Sequence, residues 1–414
     1  MKQFRILMFA AAVLAASSVL AGSLDIFELE ARIKGLSTDN ISKNWQEGYD
    51  KYGMAGITAR FYPGPLAEFS YTLEYTWYNQ QVPLSNLQYR AGFRFIPTSE
   101  KSATTFFFNG EFTGRSYRDP GKSEAAVNNA NQFTSDNSRL MMSLGHRFTE
   151  RVSVRAGYEL KSTTYDNPEV KDRYDNSAFA GVNVSLPGRM ALDIEGGYDF
   201  GEFAFLPDTG SIPPNYAYAV QGVDAYRVLK EGDLKSWFVT PRLSKSLTSR
   251  TGLSLTFGLR RFIDLNEDAI VYGNSAQRSI EGVTEGLISP WADVYEGEYY
   301  KVQIKSFDLP KVVVTGSFGF WNKHYMKTLD PVRFDAETGE WEIRPSVSTY
   351  YVQEGRGDRH DFLRKANITV TYPINMHTYY MEPTLKVDYT NSSSNIIVYD
   401  YHDLSISMEF MIRF

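Results

Sequence analysis

Hydrophobic and polar residues alternate along most of the chain, and the pattern is clearest over the stretch 403–414. One face of an extended chain would carry Leu404, Ile406, Met408, Phe410, Ile412 and Phe414. The other face would carry Asp403, Ser405, Ser407, Glu409 and Arg413, with Met411 as the one exception. A repeat of two residues predicts a β-strand, and this strand has one apolar face and one charged face.

The same alternation recurs in further segments, including residues 69–77, 87–95, 152–161, 253–260 and 382–389. Their polar positions carry full charges, among them Glu74, Arg90 and Arg155. A soluble sandwich or barrel would not point such charges into its core. A barrel with a watery interior and an apolar exterior in lipid tolerates them.

The connections between these segments alternate between short and long. The short ones are 63–65, 96–101, 149–150, 187–188, 248–249, 309–310 and 372–375. The long ones are 35–52, 116–137, 165–174, 201–231, 263–297 and 325–358, with two shorter members, 79–83 and 391–395. Counting the segments between turns predicts about 16 strands. A weak first segment, 24–33, and an extra hairpin around 341–351 leave 14 to 18 strands open.

The first residues have the features of a secretory signal peptide. Lys2 and Arg5 precede an apolar run from Ile6 to Leu20, and Val19-Leu20-Ala21 provides a small-residue cleavage site. The run has 15 residues, which is fewer than the roughly 20 that a bilayer-spanning helix needs. We therefore expect residues 1–21 to direct export through the Sec pathway, and residues 22–414 to form one barrel without a further domain.

Composition narrows the choice of function. The chain has no cysteine, which excludes disulfides, thiol chemistry and covalent haem attachment. Its net charge of -6 and lack of a basic cluster do not indicate nucleic-acid binding. The aromatic content of 15% suits aromatic girdles at the two lipid boundaries.

Few residues could carry chemistry. His360 and His402 lie beside carboxylates near the predicted outer rim, where some outer-membrane proteases place such pairs, but solvated rim residues are the interpretation we favour. The acidic stretch 263–298 lacks a regular calcium-ligand spacing and is expected to be a solvated loop. We therefore expect no enzymatic activity, no metal site and no bound cofactor.

Together, the signal peptide, the alternating strands, the turn asymmetry and the final Phe414 resemble Gram-negative outer-membrane porin-like β-barrels over the whole mature chain. The resemblance implies a single transmembrane antiparallel up-and-down barrel in the outer membrane. Its short turns would be periplasmic, its long loops extracellular, and both termini periplasmic. The last strand is similar to those that the barrel-assembly machinery reads, so Phe410 and Phe414 are the implied assembly signal. Lipid and that machinery are the implied partners.

The polar faces of the predicted strands would then line the lumen. The basic residues that we assign to this lining are Arg60, Arg90, Arg94, Arg115, Arg155, Arg260, Lys301, Lys305 and Lys386. The acidic ones are Glu74, Glu111, Glu195 and Glu409. Over all the positions assigned inward, 13 are basic and 10 are acidic, and this slight basic excess predicts a mild preference for anionic solutes. The alternative is cross-strand ion pairing that stiffens the wall and confers no selectivity.

Three functions fit such a barrel. The first is an aqueous channel for solutes, because about 16 strands enclose enough space for water. The second is a sleeve that holds a multihaem cytochrome across the outer membrane, with periplasmic and surface cytochromes as partners and haem supplied only by them. The third is a barrel for export of a polysaccharide or of surface proteins.

Overall fold

The structure is a computed structural model, and its alternating sequence pattern is realised as β-strands throughout. It describes residues 26–39, 49–79, 85–98, 102–116, 135–165, 173–203, 233–264, 295–325, 332–335, 340–343, 360–376, 379–394 and 400–414. Within these ranges no helix is long and apolar enough to cross a membrane. The expected signal peptide, residues 1–21, lies outside the described residues, as does most of the acidic stretch 263–298.

Nineteen strands are present in the described part of the chain. They are β1 (Phe27–Thr38), β2 (Asp50–Gly64), β3 (Ala67–Tyr78), β4 (Asn86–Phe95), β5 (Thr104–Ser116), β6 (Ser135–Arg147), β7 (Val152–Tyr165), β8 (Arg173–Leu186), β9 (Met190–Phe203), β10 (Asp233–Ser246), β11 (Thr251–Asp264), β12 (Tyr295–Ser306), β13 (Val313–Tyr325), β14 (Val332–Asp335), β15 (Glu340–Ile343), β16 (His360–Thr371), β17 (Ile374–Met376), β18 (Tyr379–Ser394) and β19 (Tyr401–Arg413).

Each long strand pairs with its neighbours in the chain in antiparallel fashion, and the last returns to the first. β19 pairs with β1 from Glu30↔Arg413 to Thr38↔Ser405, which closes the barrel. β14 and β15 form a separate two-stranded sheet, and β17 is a short strand in the turn before β18. The barrel therefore has 16 strands in an up-and-down order, and the predicted fold class is confirmed.

The weak first segment is a full strand, β1. The hairpin β14–β15 does not join the barrel wall and overlaps the expected extra hairpin, 341–351, only at residues 341–343; residues 344–351 lie outside the described residues. Several predicted boundaries were wrong. The stretch 35–52 was expected to be a connection, but β1 continues through Thr38 and β2 begins at Asp50. The stretch 391–395 was expected to be a connection, but β18 continues through Ser394 because its last residues still pair with β16, up to Asp361↔Ser394. Hydroxyl side chains tolerate strand geometry when the neighbouring strands supply the backbone partners.

All the short connections lie at one end of the barrel. Two of them share a turn chemistry: Thr149 Oγ1 accepts hydrogen bonds from the backbone N–H groups of Arg151 and Val152 at 3.1 and 3.0 Å. In the turn between β10 and β11, Thr248 Oγ1 accepts in the same way from the backbone N–H groups of Arg250 and Thr251, at 3.0 and 2.9 Å. Such side-chain acceptance replaces a backbone turn partner and permits a tight reversal. The long connections, such as 204–232 and 265–294, leave from the opposite end.

The two faces of each strand differ in exposure. In β19, Ile406 and Met408 are 49% and 51% exposed, while Ser405 and Ser407 between them are 8% and 4% exposed. Side chains crowd on the concave inside of a closed barrel and splay outside, so the apolar face is the exterior. Exposed rings on the exterior lie near both ends: Phe61, Phe69 and Phe95 near the short turns, and Tyr174, Trp237 and Phe362 near the long connections.

Candidate functional site

The candidate site is the polar interior of the barrel. The strand register places on one face all thirteen charged residues that the sequence analysis assigned to the lumen: Arg60, Arg90, Arg94, Arg115, Arg155, Arg260, Lys301, Lys305, Lys386, Glu74, Glu111, Glu195 and Glu409. This is the face that carries the buried hydroxyl residues of β19. Their part in solute passage stays a prediction.

Where the barrel closes, charged residues of β1, β2, β3 and β19 form an ion-pair network near the short-turn end. We call it the seam cluster, and its members are Glu28, Glu30, Arg32, Arg60, Glu68, Glu409 and Arg413. Glu30 is its centre, with a side chain only 2% exposed. Arg32 Nη2 and Arg60 Nη1 each lie 3.0 Å from its carboxylate oxygens.

The seam cluster joins the two ends of the strand order. Arg413 on β19 approaches two carboxylates of β1, with 3.1 Å from Nε to Glu28 Oε1 and 3.4 Å from Nη2 to Glu30 Oε2. Arg32 on β1 in turn reaches Glu409 on β19, 3.2 Å from Nε to Oε1. Arg60 also donates a short hydrogen bond to Glu28. Every arginine in the cluster therefore has at least two carboxylate partners, and the charges neutralise one another.

A second group of ion pairs lies on β7, β9 and β11. Arg155 Nη2 lies 2.7 Å from Glu195 Oε2 and 3.5 Å from Asp193 Oδ1, so it reaches across β8. Arg260 Nη2 reaches across β10 to Asp199 Oδ2 at 2.7 Å. These pairs fit the predicted cross-strand pairing, which stiffens a wall without leaving a net field. Eight of the residues assigned from the sequence take part in ion pairs: Arg60, Arg90, Arg155, Arg260, Lys386, Glu111, Glu195 and Glu409.

The inner face of β10, β11, β12, β13 and β16 is different, and we call it the basic wall. Its cations are Arg242, Arg260, Lys301, Lys305, Lys323 and Lys365. Among the side chains that the structure describes on this face, Asp361 is the one acid. No ion pair joins Arg242, Lys301 or Lys305 to any described carboxylate. The basic wall therefore retains positive charge, whereas the charges of the seam cluster neutralise one another.

The basic wall also carries aromatic side chains. Tyr299 on β12 and Trp321 on β13 are register partners, with ring centroids 6.1 Å apart and ring planes 18° from parallel. We call this pair the aromatic platform. Above it, toward the long connections, Lys323 Nζ lies 4.3 Å from the centroid of the Tyr295 ring.

Sequence reasoning missed Lys323, Lys365 and the aromatic platform. The signal was available, because Trp321, Lys323 and Lys365 follow the same two-residue alternation as their neighbours. Aromatic residues on a predicted strand are, however, normally assigned to the lipid face, and here the register alone places them inside. The members of the seam cluster on β1 were missed because that segment showed a weak pattern.

Two histidines contact each other on the exterior, and the two final phenylalanines lie at the end of the strand that closes the barrel. His360 Nε2 lies 2.8 Å from His324 Nε2 on the exterior face near the long connections. Phe410 is exposed on the exterior, and Phe414 exchanges backbone hydrogen bonds with Leu29 of β1. The assembly signal inferred from Phe410 and Phe414 stays a prediction.

Comparison with known proteins gives likeness of fold only. No family model matches the chain, and no curated protein matches it. Among solved structures, CdiB from Acinetobacter baumannii is 8% identical with a TM-score of 0.48, covering 94% of this chain and 60% of its own length. OccK2 from Pseudomonas aeruginosa, solved with glucuronate, is 11% identical with a TM-score of 0.46, covering 93% and 95%. OpdK from the same organism is 8% identical with a TM-score of 0.46, covering 94% and 100%.

Proposed function

We propose that this barrel is an outer-membrane channel that passes small solutes through a water-filled lumen and favours anions over cations. The observation that supports it best is the basic wall, where Arg242, Lys301 and Lys305 face the interior and no ion pair joins them to a carboxylate of the described residues. A ring or stripe of uncompensated charge lowers the energy of counter-ions in a pore and raises their local concentration.

The membrane location rests on the exterior. Ile368, Ile406 and Phe318 are 58%, 49% and 51% exposed, which is the reverse of their usual place in a soluble protein. Exposure of these apolar side chains to lipid, unlike exposure to water, has no free-energy cost. The closed hydrogen-bonded wall also leaves no strand edge unpaired. The rings at the two ends suit the lipid boundaries of an outer membrane.

Channel formation rests on strand number. Barrels with 16 to 18 strands leave an aqueous path, whereas barrels of about eight strands are filled by their own side chains. The barrel described here has 16. Its interior residues are also polar and charged, so water along the axis is favourable.

Selectivity distinguishes this proposal from simple wall stiffening. If all interior charges were paired as in the seam cluster, the lumen would show little preference. Because Arg242 and Lys301 have no described carboxylate partner, we expect reversal potentials in a potassium chloride gradient to favour chloride. The preference should be stronger at 0.1 M than at 1 M salt, since the screening length falls from about 10 Å to about 3 Å.

The test is a planar bilayer measurement on the purified barrel. Replacement of Arg242, Lys301 and Lys305 by Glu should convert the preference from anions to cations. The control is Arg90→Glu combined with Glu111→Arg, which exchanges a solvated pair without changing the net charge. A triple variant that keeps the anion preference would overturn the role of the basic wall.

Membrane placement has a separate test, because the chain has no cysteine and each introduced one is unique. Cysteine at Ile406 or Val302 should react with lipid-soluble reagents, and cysteine at Gln303 or Ser317 with water-soluble ones. Equal aqueous labelling of all four would contradict the membrane channel.

The sleeve remains the second proposal, with multihaem cytochromes as partners and haem only in those partners. Purification from native outer membranes distinguishes the two. A haem-free preparation that conducts ions supports the channel. Co-purification of haem in a stable complex that conducts no ions would replace it with the sleeve.

A further inference from the structure

We infer that the aromatic platform and the lysines around it form a binding site for a small anion that carries a ring with an apolar face. The chemical class includes carboxylated sugars and aromatic carboxylates, which share a flat hydrophobic face and a carboxylate. The inference rests on the proposed channel, because the site lies in its lumen. It adds what the channel recognises.

Two glycines bring the rings flat against the barrel wall. A Cβ added at Gly258 would lie 1.9 Å from Cε1 of Tyr299, so the tyrosine ring occupies the space that any other residue would fill. A Cβ added at Gly319 would lie 2.9 Å from Cη2 of Trp321. The two rings thus lean toward glycines on β11 and β13, with their planes 18° from parallel. A flat solute can lie against rings held in this way.

Two lysines flank the tryptophan. Gly319, beneath the Trp321 ring, has Lys301 and Lys365 as its register partners on the strands to either side. Adjacent strands are about 4.8 Å apart, so the two lysine backbones are separated by roughly 10 Å with the ring between them. Lys365 Nζ lies 5.7 Å from the Trp321 ring centroid. Lys301 has no described ion-pair partner. An anion on the ring face would thus have a lysine on each side.

A second aromatic pair in the interior shows that rings alone do not make such a site. Tyr52 and Tyr78 have centroids 4.9 Å apart with planes 37° apart. Carboxylates share the inner face of the same strands, with Asp50 two residues before Tyr52 on β2 and Glu74 four residues before Tyr78 on β3. This pair would repel an anion, whereas the aromatic platform attracts one. It therefore serves as the matched control.

The recognition chemistry requires both parts of the site. Stacking of a ring on Tyr299 and Trp321 removes apolar surface from water and adds the preferred contacts of an aromatic face. Sugar rings present C–H groups on one face, and benzoate presents a ring. The lysines supply charge-assisted hydrogen bonds to the carboxylate. A solute with only the ring or only the charge would satisfy half of the site.

The experiment measures binding to the refolded barrel in detergent by isothermal titration, so that it does not depend on conductance. Benzoate and galacturonate each carry a ring and a charge, galactose carries the ring alone, and acetate carries the charge alone. We expect benzoate and galacturonate to bind at least tenfold more tightly than galactose or acetate. The same solutes should block single-channel current in that order.

Variants assign the binding to the aromatic platform. Trp321→Leu should weaken galacturonate binding about tenfold, and Lys301→Gln with Lys365→Gln should weaken it further. Gly258→Val should act like loss of Tyr299, because the ring is displaced. Tyr52→Leu with Tyr78→Leu should leave it unchanged.

The outcomes separate the two proposals. If acetate binds as tightly as galacturonate, or if Trp321→Leu binds normally while folded, the ring site is overturned and an anion-preferring channel still stands. If the barrel binds galacturonate at the aromatic platform but passes no ions, the channel proposal fails and the site stands. Loss of binding in the Tyr52 and Tyr78 double variant would also contradict the assignment.

Discussion

The seam cluster and the basic wall are built from the same residue types on the same face of one barrel, yet they use charge in opposite ways. In the seam cluster, Glu30 is almost inaccessible to solvent and is held by three arginines from β1, β2 and β19. On the basic wall, Lys301 and Arg242 face the interior, and no ion pair joins either of them to a described carboxylate. In the seam cluster the charges are neutralised by ion pairs that join the strands, whereas on the basic wall Lys301 and Arg242 keep their positive charge.

This difference shows that the interior charge of a barrel cannot be judged from a total. Acids and bases nearly balance over the whole interior, which alone would predict a weak field. Their separation matters more, because an ion responds to charges within about a screening length, roughly 10 Å at 0.1 M salt. The inner face of β12 therefore presents a positive surface, although the seam cluster is close to neutral.

The largest effect should follow from breaking the seam cluster. Glu30→Ala removes a buried carboxylate and leaves Arg32, Arg60 and Arg413 with fewer partners, so we expect a loss of about 3 kcal/mol in unfolding free energy. Urea unfolding of the barrel in lipid vesicles, followed by heat-modifiable gel mobility, measures it.

The control for this variant is Glu111→Ala, which removes a solvated partner of Arg90 at 3.7 Å, where the two side chains are 44% and 50% exposed. Exposed pairs contribute roughly 0 to 1 kcal/mol, so this change should be small. Equal losses in the two variants would mean that the seam cluster is no more important than a surface pair.

A smaller effect should separate the two regions by selectivity rather than stability. Lys301→Gln removes an unpaired charge from the basic wall and should lower the anion preference. Arg32→Gln removes a charge of the same sign from the seam cluster, and should change the reversal potential less, because Glu30 and Glu409 already neutralise it. The loss of unfolding free energy should be larger for Arg32→Gln than for Lys301→Gln. If both variants shift the reversal potential equally, the distinction between the regions fails.

The smallest effect concerns the turn between β12 and β13. Hydrogen bonds from Thr251 and Ser306 hold the pKa of the exposed Asp308 carboxyl below its ordinary value of 3.8. Because the folded pKa is depressed, the stabilisation is present above the unfolded pKa and is lost as the pH falls through the folded pKa. Asp308→Asn should therefore be less stable than the parent at pH 7, with the difference shrinking below about pH 4. A difference that is constant from pH 7 to pH 3 would contradict this linkage.

Most of the fold could be predicted from the sequence because strand alternation and turn lengths are local properties. Residues such as Ile406 and Ser407 reveal their faces by neighbours two positions away. The boundary of β18 could not be predicted, because Ser392 and Ser394 have weak intrinsic preference and the strand is extended by pairing with β16. The hairpin β14–β15 shows the same limit, since the sequence predicts strands but not which sheet they join.

The site was predicted in part. The faces of Arg90 and Lys301 follow from alternation, but whether each is paired depends on residues from other strands. Arg155 finds Glu195 two strands away, and Lys301 finds no carboxylate. Neither outcome can be derived from one strand, because the relative stagger of strands decides it. The aromatic platform was hidden for a related reason: Tyr299 and Trp321 meet across two strands, and Gly258 makes room for the Tyr299 ring of the neighbouring strand while Gly319 makes room for the Trp321 ring of its own.

The pairing of β1 with β19 has a consequence for how the molecule is made. Glu30 and Arg413 are in register, so the contact that closes the cylinder connects positions near opposite ends of the polypeptide. Contacts of such large sequence separation form slowly, because the intervening loop must first be ordered. Until then β1 presents an open edge that invites pairing with other chains. Successful biogenesis therefore requires that β1 be shielded until β19 arrives, and the ion pairs at this junction form last.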